Sequence, residues 1–486
     1  MKNPPYGMIA ILFIGAFVAF LNNTLLNVAL PTIMVEFDVK PSQVQWLTTA
    51  YMLVNGILIP ASAYFIQKFT NRTLFITAMS LFTFGTFIAF IAPGFWILVL
   101  GRMIQACGSA IMMPLLMNVM LIAFPIERRG TAMGIFGLVM IMAPAIGPTL
   151  SGFIVENYSW RILFAMILPF ALIPLVLAIF KLKNITPQRD VTLDKFSLVL
   201  SSFGFGGLLY GFSVAGDEGW TSWIILLTLA VGMFTLVWFI LRQLSLKEPL
   251  LEFRIYRYPM FALASAISIV LSAAMFSGMI LTPLYVQTIR GFSPLESGLL
   301  MLPGALVMAI MSPVTGRLFD SFGAKWLAIT GLTISTLTTF ALSGLTLETS
   351  YASIMFLYTM RMFGFSMITM PVMTNGLSQL AAHHYPHGTA MNNTLQQVSG
   401  AIGSAIFLTI MNARMTSWIE DQLLKLQIDG MYPSDAEAEQ VIMGELTQKG
   451  MLEGITFSFF IAAIVTIVAL ILSLFIKKVV PKREKD

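Results

Sequence analysis

Gly130-Thr131-Ala132-Met133 recurs as Gly388-Thr389-Ala390-Met391, 258 residues later. The correspondence continues outward from this tetrapeptide. At an offset of 256, Ala145-Ile146-Gly147 meets Ala401-Ile402-Gly403. At an offset of 253, Pro41, Pro60, Ala63, Gln67, Thr70 and Arg72 meet Pro294, Pro313, Gly316, Asp320, Gly323 and Lys325. The matches include helix breakers and charged loop residues in register, which separates them from chance likeness among apolar segments. The chain reads as two copies of one unit, in the same order and orientation.

Each copy is a series of membrane spans. About 20 apolar residues cross roughly 30 Å of hydrocarbon. Stretches free of Asp, Glu, Lys and Arg run 3–35, 41–67, 130–155, 162–180, 196–216, 219–241, 258–289, 297–316, 326–347 and 454–476. Two more, 73–126 and 349–413, carry one internal charge each, Arg102 and Arg361. They divide at Ala92-Pro93-Gly94 and at His383-His384-Tyr385-Pro386-His387-Gly388. The expectation is an all-α polytopic membrane protein of 14 transmembrane helices, two six-helix repeats plus two extra helices between them. The units fall at 1–183 for the N-terminal bundle, 184–258 for a linker region with helices 7 and 8, and 259–478 for the C-terminal bundle. The last includes an outer loop at 413–452, and 479–486 is a cytoplasmic tail. Parallel repeats of this kind suggest a transporter that rocks around a midplane cavity.

Composition agrees. Hydrophobic residues make up 57% of the chain and charged residues 10%, against about 25% charged in soluble domains. That excludes a water-facing globule, a disordered chain and a nucleic-acid partner. Spans this long exclude an outer-membrane barrel, and the first is expected to be retained rather than cleaved as a signal. With the N-terminus inside, 20 of 28 Lys and Arg fall on the cytoplasmic side, so both termini are expected there. The net charge of +5 is then a topology signal with lipid contact as a by-product. Trp46, Trp96, Trp160, Trp220, Trp223 and Trp326 fall at span ends, where amphipathic rings settle at the interface. A single cysteine, Cys107, excludes an intrachain disulfide framework and a multi-Cys metal site.

The loop Gly316-Arg317-Leu318-Phe319-Asp320-Ser321-Phe322-Gly323-Ala324-Lys325 combines glycines for a tight turn and close helix approach with an acid. That acid can cap the next helix N-terminus or pair with a cation. The chain resembles the major facilitator superfamily here. The first copy keeps Lys68 and Arg72 but has Gln67 in place of the acid, so its inner gate is expected to be held less electrostatically. In the fourth span Arg102 and Gln105 match a family motif associated with coupling proton and substrate movement, and a buried charge is a functional candidate by default. Arg361 is its counterpart in the second half, as a helix-pairing or substrate residue. Pro144, Gly147, Pro148 and Gly152 in the fifth span resemble the motif of exporters, with prolines to bend the helix and small residues for close packing. Leu21-Asn22-Asn23-Thr24 through Pro31 resembles the first-helix motif of fourteen-helix drug:proton antiporters, which in many members has an acid at the position of Asn22.

No Asp or Glu lies deep in any span, and Glu296, at the outer start of the tenth, is the nearest. The candidates for the polar wall of the cavity are Asn22, Asn23, Asn27, Asn55, Asn118, Asn375, Asn392 and Gln396; Gln379, and Asn393 with Gln397 at the same four-residue spacing, are further uncharged polar groups in the spans, and about half of the whole set is expected to bridge helices instead. His383, His384 and His387 read as a solvated loop, not a metal site. In the outer loop, Met415, Trp418, Ile419, Leu423 and Leu426 recur at helical spacing, which predicts an interfacial helix. A capping box at Ser434–Glu437 opens a second.

The resemblance implies a multi-pass bacterial plasma-membrane exporter of amphipathic small molecules, of the multidrug or lincomycin-resistance type, using protons and working as a monomer among membrane lipids. No Gly-x4-Gly-Lys-[Ser/Thr] loop is present, so ATP hydrolysis is not expected. Neither is any cofactor, metal or enzymatic activity. The alternative is an exporter or flippase of an endogenous lipid or metabolite on the same scaffold.

Overall fold

The computed structural model describes residues 6–39, 41–44, 46–185, 188–429 and 436–477. The side chains of Asn27, Pro144 and Pro148 and the tail 479–486 lie outside the described residues. The N-terminal helices are α1 (Tyr6–Glu36), α2 (Pro41–Val44), α3 (Trp46–Lys68), α4 (Asn71–Ile91), α5 (Phe95–Ala123), α6 (Arg129–Asn157) and α7 (Arg161–Lys181). Between the halves come α8 (Lys195–Glu218) and α9 (Trp223–Ser245). The C-terminal set is α10 (Pro259–Leu284), α11 (Pro294–Phe322), α12 (Ala324–Leu342), α13 (Tyr351–Ser366), α14 (Thr369–Ser378), α15 (Tyr385–Ile428) and α16 (Ala436–Ser473). Ten described helices are long and apolar enough to cross a membrane.

The halves meet through corresponding helices. α6 packs along α11, and α15, its repeat mate, packs along α3. The first seam is the tighter. A Cβ on Gly316 would stand 2.3 Å from the Gly130 carbonyl oxygen, so only glycine lets these backbones touch. α8 fills the gap beside α3 and α15, and α9 packs mainly on α8. α9 leaves Trp223, Phe234 and Leu241 exposed, as a lipid-facing helix does.

Side-chain caps set several helix starts. Thr70 accepts the Thr73 N–H at 3.0 Å, and Ser350 accepts that of Ser353 at 3.2 Å. At α11, Ser293 and Glu296 form a reciprocal capping box, which satisfies two otherwise orphaned donors. Between the bundles, the Arg189 N–H donates to the Gln67 carbonyl at the end of α3 at 2.9 Å, and the Glu252 N–H to His387 at the start of α15 at 3.3 Å. There Lys68 pairs with Asp190 and Arg242 with Asp194 at 2.7 Å. Each carboxyl is held below its ordinary range by hydrogen bonding to its basic partner.

Three expectations need correction. The twelfth span is not continuous, because α13 stops at Ser366 and α14 restarts at Thr369. Pro371 supplies no N–H, and its ring crowds the carbonyl one turn back. The stretch expected as a separate interfacial helix is the unbroken continuation of α15, and the next is the start of α16. The two helices pack against each other there, with Ile419 against Gly450. The Ser434 cap lies outside the described residues. Trp160 is fully buried rather than interfacial. Its indole N–H donates to Glu36 at 2.6 Å, and Arg161 stacks on its ring at 4.3 Å. Trp96, Trp223 and Trp326 are exposed.

Candidate functional site

A cavity of about 330 Å³ lies between the halves. The N-terminal half contributes Phe20, Ile59, Met113, Met117, Phe136, Met140 and Ile141. The C-terminal half contributes apolar Leu271, Met275, Phe276, Met279, Met308, Met370 and Met373, and polar Ser268, Ser272, Ser312, Ser366, Thr369, Asn393, Gln396 and Gln397. No acidic or basic side chain is among the described lining residues. The wall is therefore flexible, polarisable and electrically neutral, and thioethers adapt to varied apolar shapes.

A smaller pocket of about 60 Å³ shares Phe20, Ile59, Met113 and Gln397 with this cavity and reaches Asn23, Tyr51, Asn55 and Ser109. Behind it sits Arg102, 1% exposed. Its Nη1 donates to Gln105 Oε1 at 2.9 Å, its Nη2 to Asn23 Oδ1 at 3.2 Å and its Nε to the Leu47 carbonyl at 3.4 Å. The guanidinium lies 4.2 Å from the Tyr51 ring centroid. Asn22 donates to Gln105 Oε1 at 3.3 Å, and Gln105 donates to Thr86 at 2.7 Å. Tyr51 donates to Ser109, and Ser109 to Asn55. Helices α1, α3, α4 and α5 thus surround a buried cation with neutral acceptors.

The structure sorts the candidate asparagines. Gln396 lines the main cavity, and Asn23 and Asn55 line its small extension. Asn22, 2% exposed, is absent from the lining and faces the Arg102 cluster instead. Asn118 is buried within α5. Asn375 donates to the Lys477 carbonyl at 3.1 Å, and Asn392 contacts Met373 Sδ at 2.9 Å. These two serve helix packing. The lining residues that sequence reasoning passed over, chiefly Phe20, Phe136 and the methionines, carry no signal that separates a cavity wall from a lipid face.

The other half's arginine is differently placed. Arg361 is fully buried among α10, α12, α13 and α16. It donates to Thr339 at 3.0 Å and to the Ala274 carbonyl at 2.5 Å. Glu296 is an exposed helix cap. In the fifth span's motif, a Cβ on Gly147 would meet Thr24 Oγ1 at 2.1 Å, whereas Gly152 has open space around it.

At the basic end of the bundle, Asp320 accepts from Gly130 N at 2.8 Å, Thr131 N at 2.9 Å and Thr131 Oγ1 at 2.6 Å. The acid, expected to cap the next helix or to pair with a cation, caps α6 of the other half instead, where the helix dipole adds to the attraction. Gly323, at φ +80°, makes the turn that follows it. In the first copy, Gln67 contacts His387 Nε2 at 3.0 Å, and His387 Nδ1 accepts from Glu252 N at 3.3 Å. His387 is buried, not solvated as the loop reading expected. No group of three or more possible metal ligands occurs among the described residues. Lys68 is bound to Asp190, and Arg72 donates to the Ile179 carbonyl at 2.6 Å.

The profile of the Major Facilitator Superfamily matches residues 12–404. The MFS-type transporter YcnB of Bacillus subtilis is 47% identical, over 99% of this chain and 96% of its own. The lincomycin resistance protein LmrB of Listeria innocua is 40% identical, over 98% of each. The crystal structure of the human organic anion transporter MFSD10 superposes with a TM-score of 0.68 at 11% identity, over 97% of this chain and 100% of that one. The fold is therefore shared far beyond recognisable sequence. Repeat, helix order and relatives agree that the chain is a multi-pass plasma-membrane transporter of the major facilitator superfamily, of the drug-exporter type.

Proposed function

We propose that this protein is a fourteen-span secondary active exporter of amphipathic small molecules, with both termini in the cytoplasm. It works by alternating access in exchange for protons. The observation that carries the proposal is the neutral, methionine-rich cavity of about 330 Å³ between two halves that are tied together at their basic ends. In this reading 1–183 and 259–478 rock about the cavity, and 184–258 steadies them. The names of the relatives, a lincomycin resistance protein and multidrug resistance proteins, support antibiotics and related amphipaths as cargo. Since no acid lines the cavity among the described residues, and neither a guanidinium nor an amide gives up a proton at neutral pH, the proton moves on a water network around the Arg102, Gln105, Asn22 and Asn23 cluster, whose hydrogen bonds tie it to helix movement. Glu296, fixed as a cap, is peripheral to it.

The test is purified protein in liposomes, with pH gradient and voltage imposed separately and lincomycin and a labelled phospholipid offered in turn. Lincomycin movement driven by an imposed pH gradient is expected. Phospholipid movement without lincomycin movement would instead assign a lipid exporter, and movement indifferent to both gradients would remove secondary coupling.

A further inference from the structure

The cavity wall carries a polar atom whose hydrogen-bonding need the protein does not meet. Asn393 is 7% exposed and lines the cavity, and its Nδ2 has no hydrogen-bond partner. A buried donor left unpaired is costly, and one facing a cavity is available to whatever enters. Three hydroxyls of the same wall spend their protons on backbone carbonyls, and none of them accepts from Asn393. Ser312 donates to the Gly134 carbonyl at 2.8 Å, Ser366 to Phe363 at 2.6 Å and Thr369 to Phe365 at 3.1 Å. Gln396 and Gln397, three and four residues on, line the same wall, because those spacings share a helix face.

We propose that Asn393 is the specificity-determining hydrogen-bond donor of this cavity. It selects neutral, largely apolar molecules that present an acceptor oxygen, such as a carbonyl, ether or amide, over equally apolar molecules that lack one. The proposal rests on reading the cavity as the substrate site. In the unloaded state water can satisfy Nδ2, since a cavity of this size with amides and hydroxyls on one wall admits it. An acceptor-bearing guest replaces that water bond for bond. A hydrocarbon guest expels the water and leaves the donor bare, and a site built to hydrogen-bond discriminates strongly against such an analogue. A permanent cation finds no counter-charge on the wall and bears its full desolvation.

Two probes separate these cases: Nile red, which is neutral, carries a carbonyl and has no N–H or O–H, and diphenylhexatriene, a hydrocarbon. Affinity is measured by equilibrium dialysis of the full-length protein in amphipol against protein-free amphipol, with the emission of bound Nile red recorded. Asn393→Leu is expected to weaken Nile red about tenfold, the scale of one hydrogen bond in a dry site. It should also shift the bound emission to the blue, and tighten diphenylhexatriene several-fold, since the hydrocarbon no longer leaves a donor bare. Asn393→Met, whose thioether matches the wall, repeats the measurement if the leucine variant does not insert. Unchanged Nile red affinity and emission in the variant would overturn the assignment while leaving the cavity reading intact. Ser272→Trp, which fills the cavity, should abolish binding of both probes. Retention of both in that variant would place them elsewhere, and the cavity reading and the inference would fall together.

Discussion

Arg102 shows what a single charge does in a nearly charge-free interior. Its donors reach Gln105, Asn23 and the Leu47 carbonyl, and Tyr51 covers its face. Only a planar, multi-donor fork serves these acceptors at once. Arg102→Ala should reduce gradient-driven transport at least about tenfold, with substrate binding largely kept, and Arg102→Lys should recover little of it. Parallel assays of transport and of equilibrium binding check this, and binding lost in step with transport would make Arg102 a ligand site. Asn22→Asp places a carboxylate where an amide now donates to Gln105 at 3.3 Å. The new acid would repel that oxygen and draw the guanidinium. Because Asn22 does not line the cavity, the expected effect is a displaced pH profile, by about one unit or roughly 1.4 kcal/mol, with little change in preference between neutral and dicationic cargo. Transport of one of each across pH 6 to 8 measures both, and a large swing toward dications would return Asn22 to the cavity wall.

Among the helices, α6 carries the sharpest structural demand. Its Gly147 sits against Thr24 of α1, and Ser151 donates to the Leu25 carbonyl at 2.5 Å. A side chain at Gly147 must push α1 away, and overpacking of this sort costs about 1–3 kcal/mol. Gly147→Leu should insert yet transport more than tenfold less, while Gly152→Leu, with open space around its Cβ, should stay within about twofold of wild type. Drug-resistance assays normalised to membrane expression distinguish the two glycines. Equal losses would mean that the whole motif, rather than the α1 contact, sets the demand.

Across the whole molecule, the two seams differ. The α6–α11 seam is closed by a carboxylate on a helix N-terminus, and the α3–α15 seam by a neutral Gln67–His387 contact. Charge-assisted bonds are about twice as strong as neutral ones, so Asp320 should dominate the closure of the basic end. Asp320→Asn is expected to raise access to the cavity from that end by about 5–30-fold, the equivalent of roughly 1–2 kcal/mol. In a Cys107→Ser background, which removes the sole cysteine, the labelling rate of Ser272→Cys by a membrane-impermeant thiol reagent in inside-out vesicles reads this directly. An unchanged rate would show that the latch does not control the gate.

The all-helical fold of the superfamily and the odd buried arginines were legible from residues 1 to 486 alone, because apolar length and stray charges are local properties that lipid reads segment by segment. The loop acid was legible too, but its partner was not. Asp320 crosses to α6, 189 and 190 residues away along the chain, and only the folded seam brings them together. The polar cavity wall was legible in part. Asn22 and Asn393 are both asparagines in apolar spans, yet one faces a neighbouring helix and the other the cavity. In a soluble protein, water marks the outward face of a helix. Here lipid, helix contacts and cavity are all largely apolar, so the inward face carries no hydrophobic contrast, and tertiary packing alone decided which side chains line the cavity.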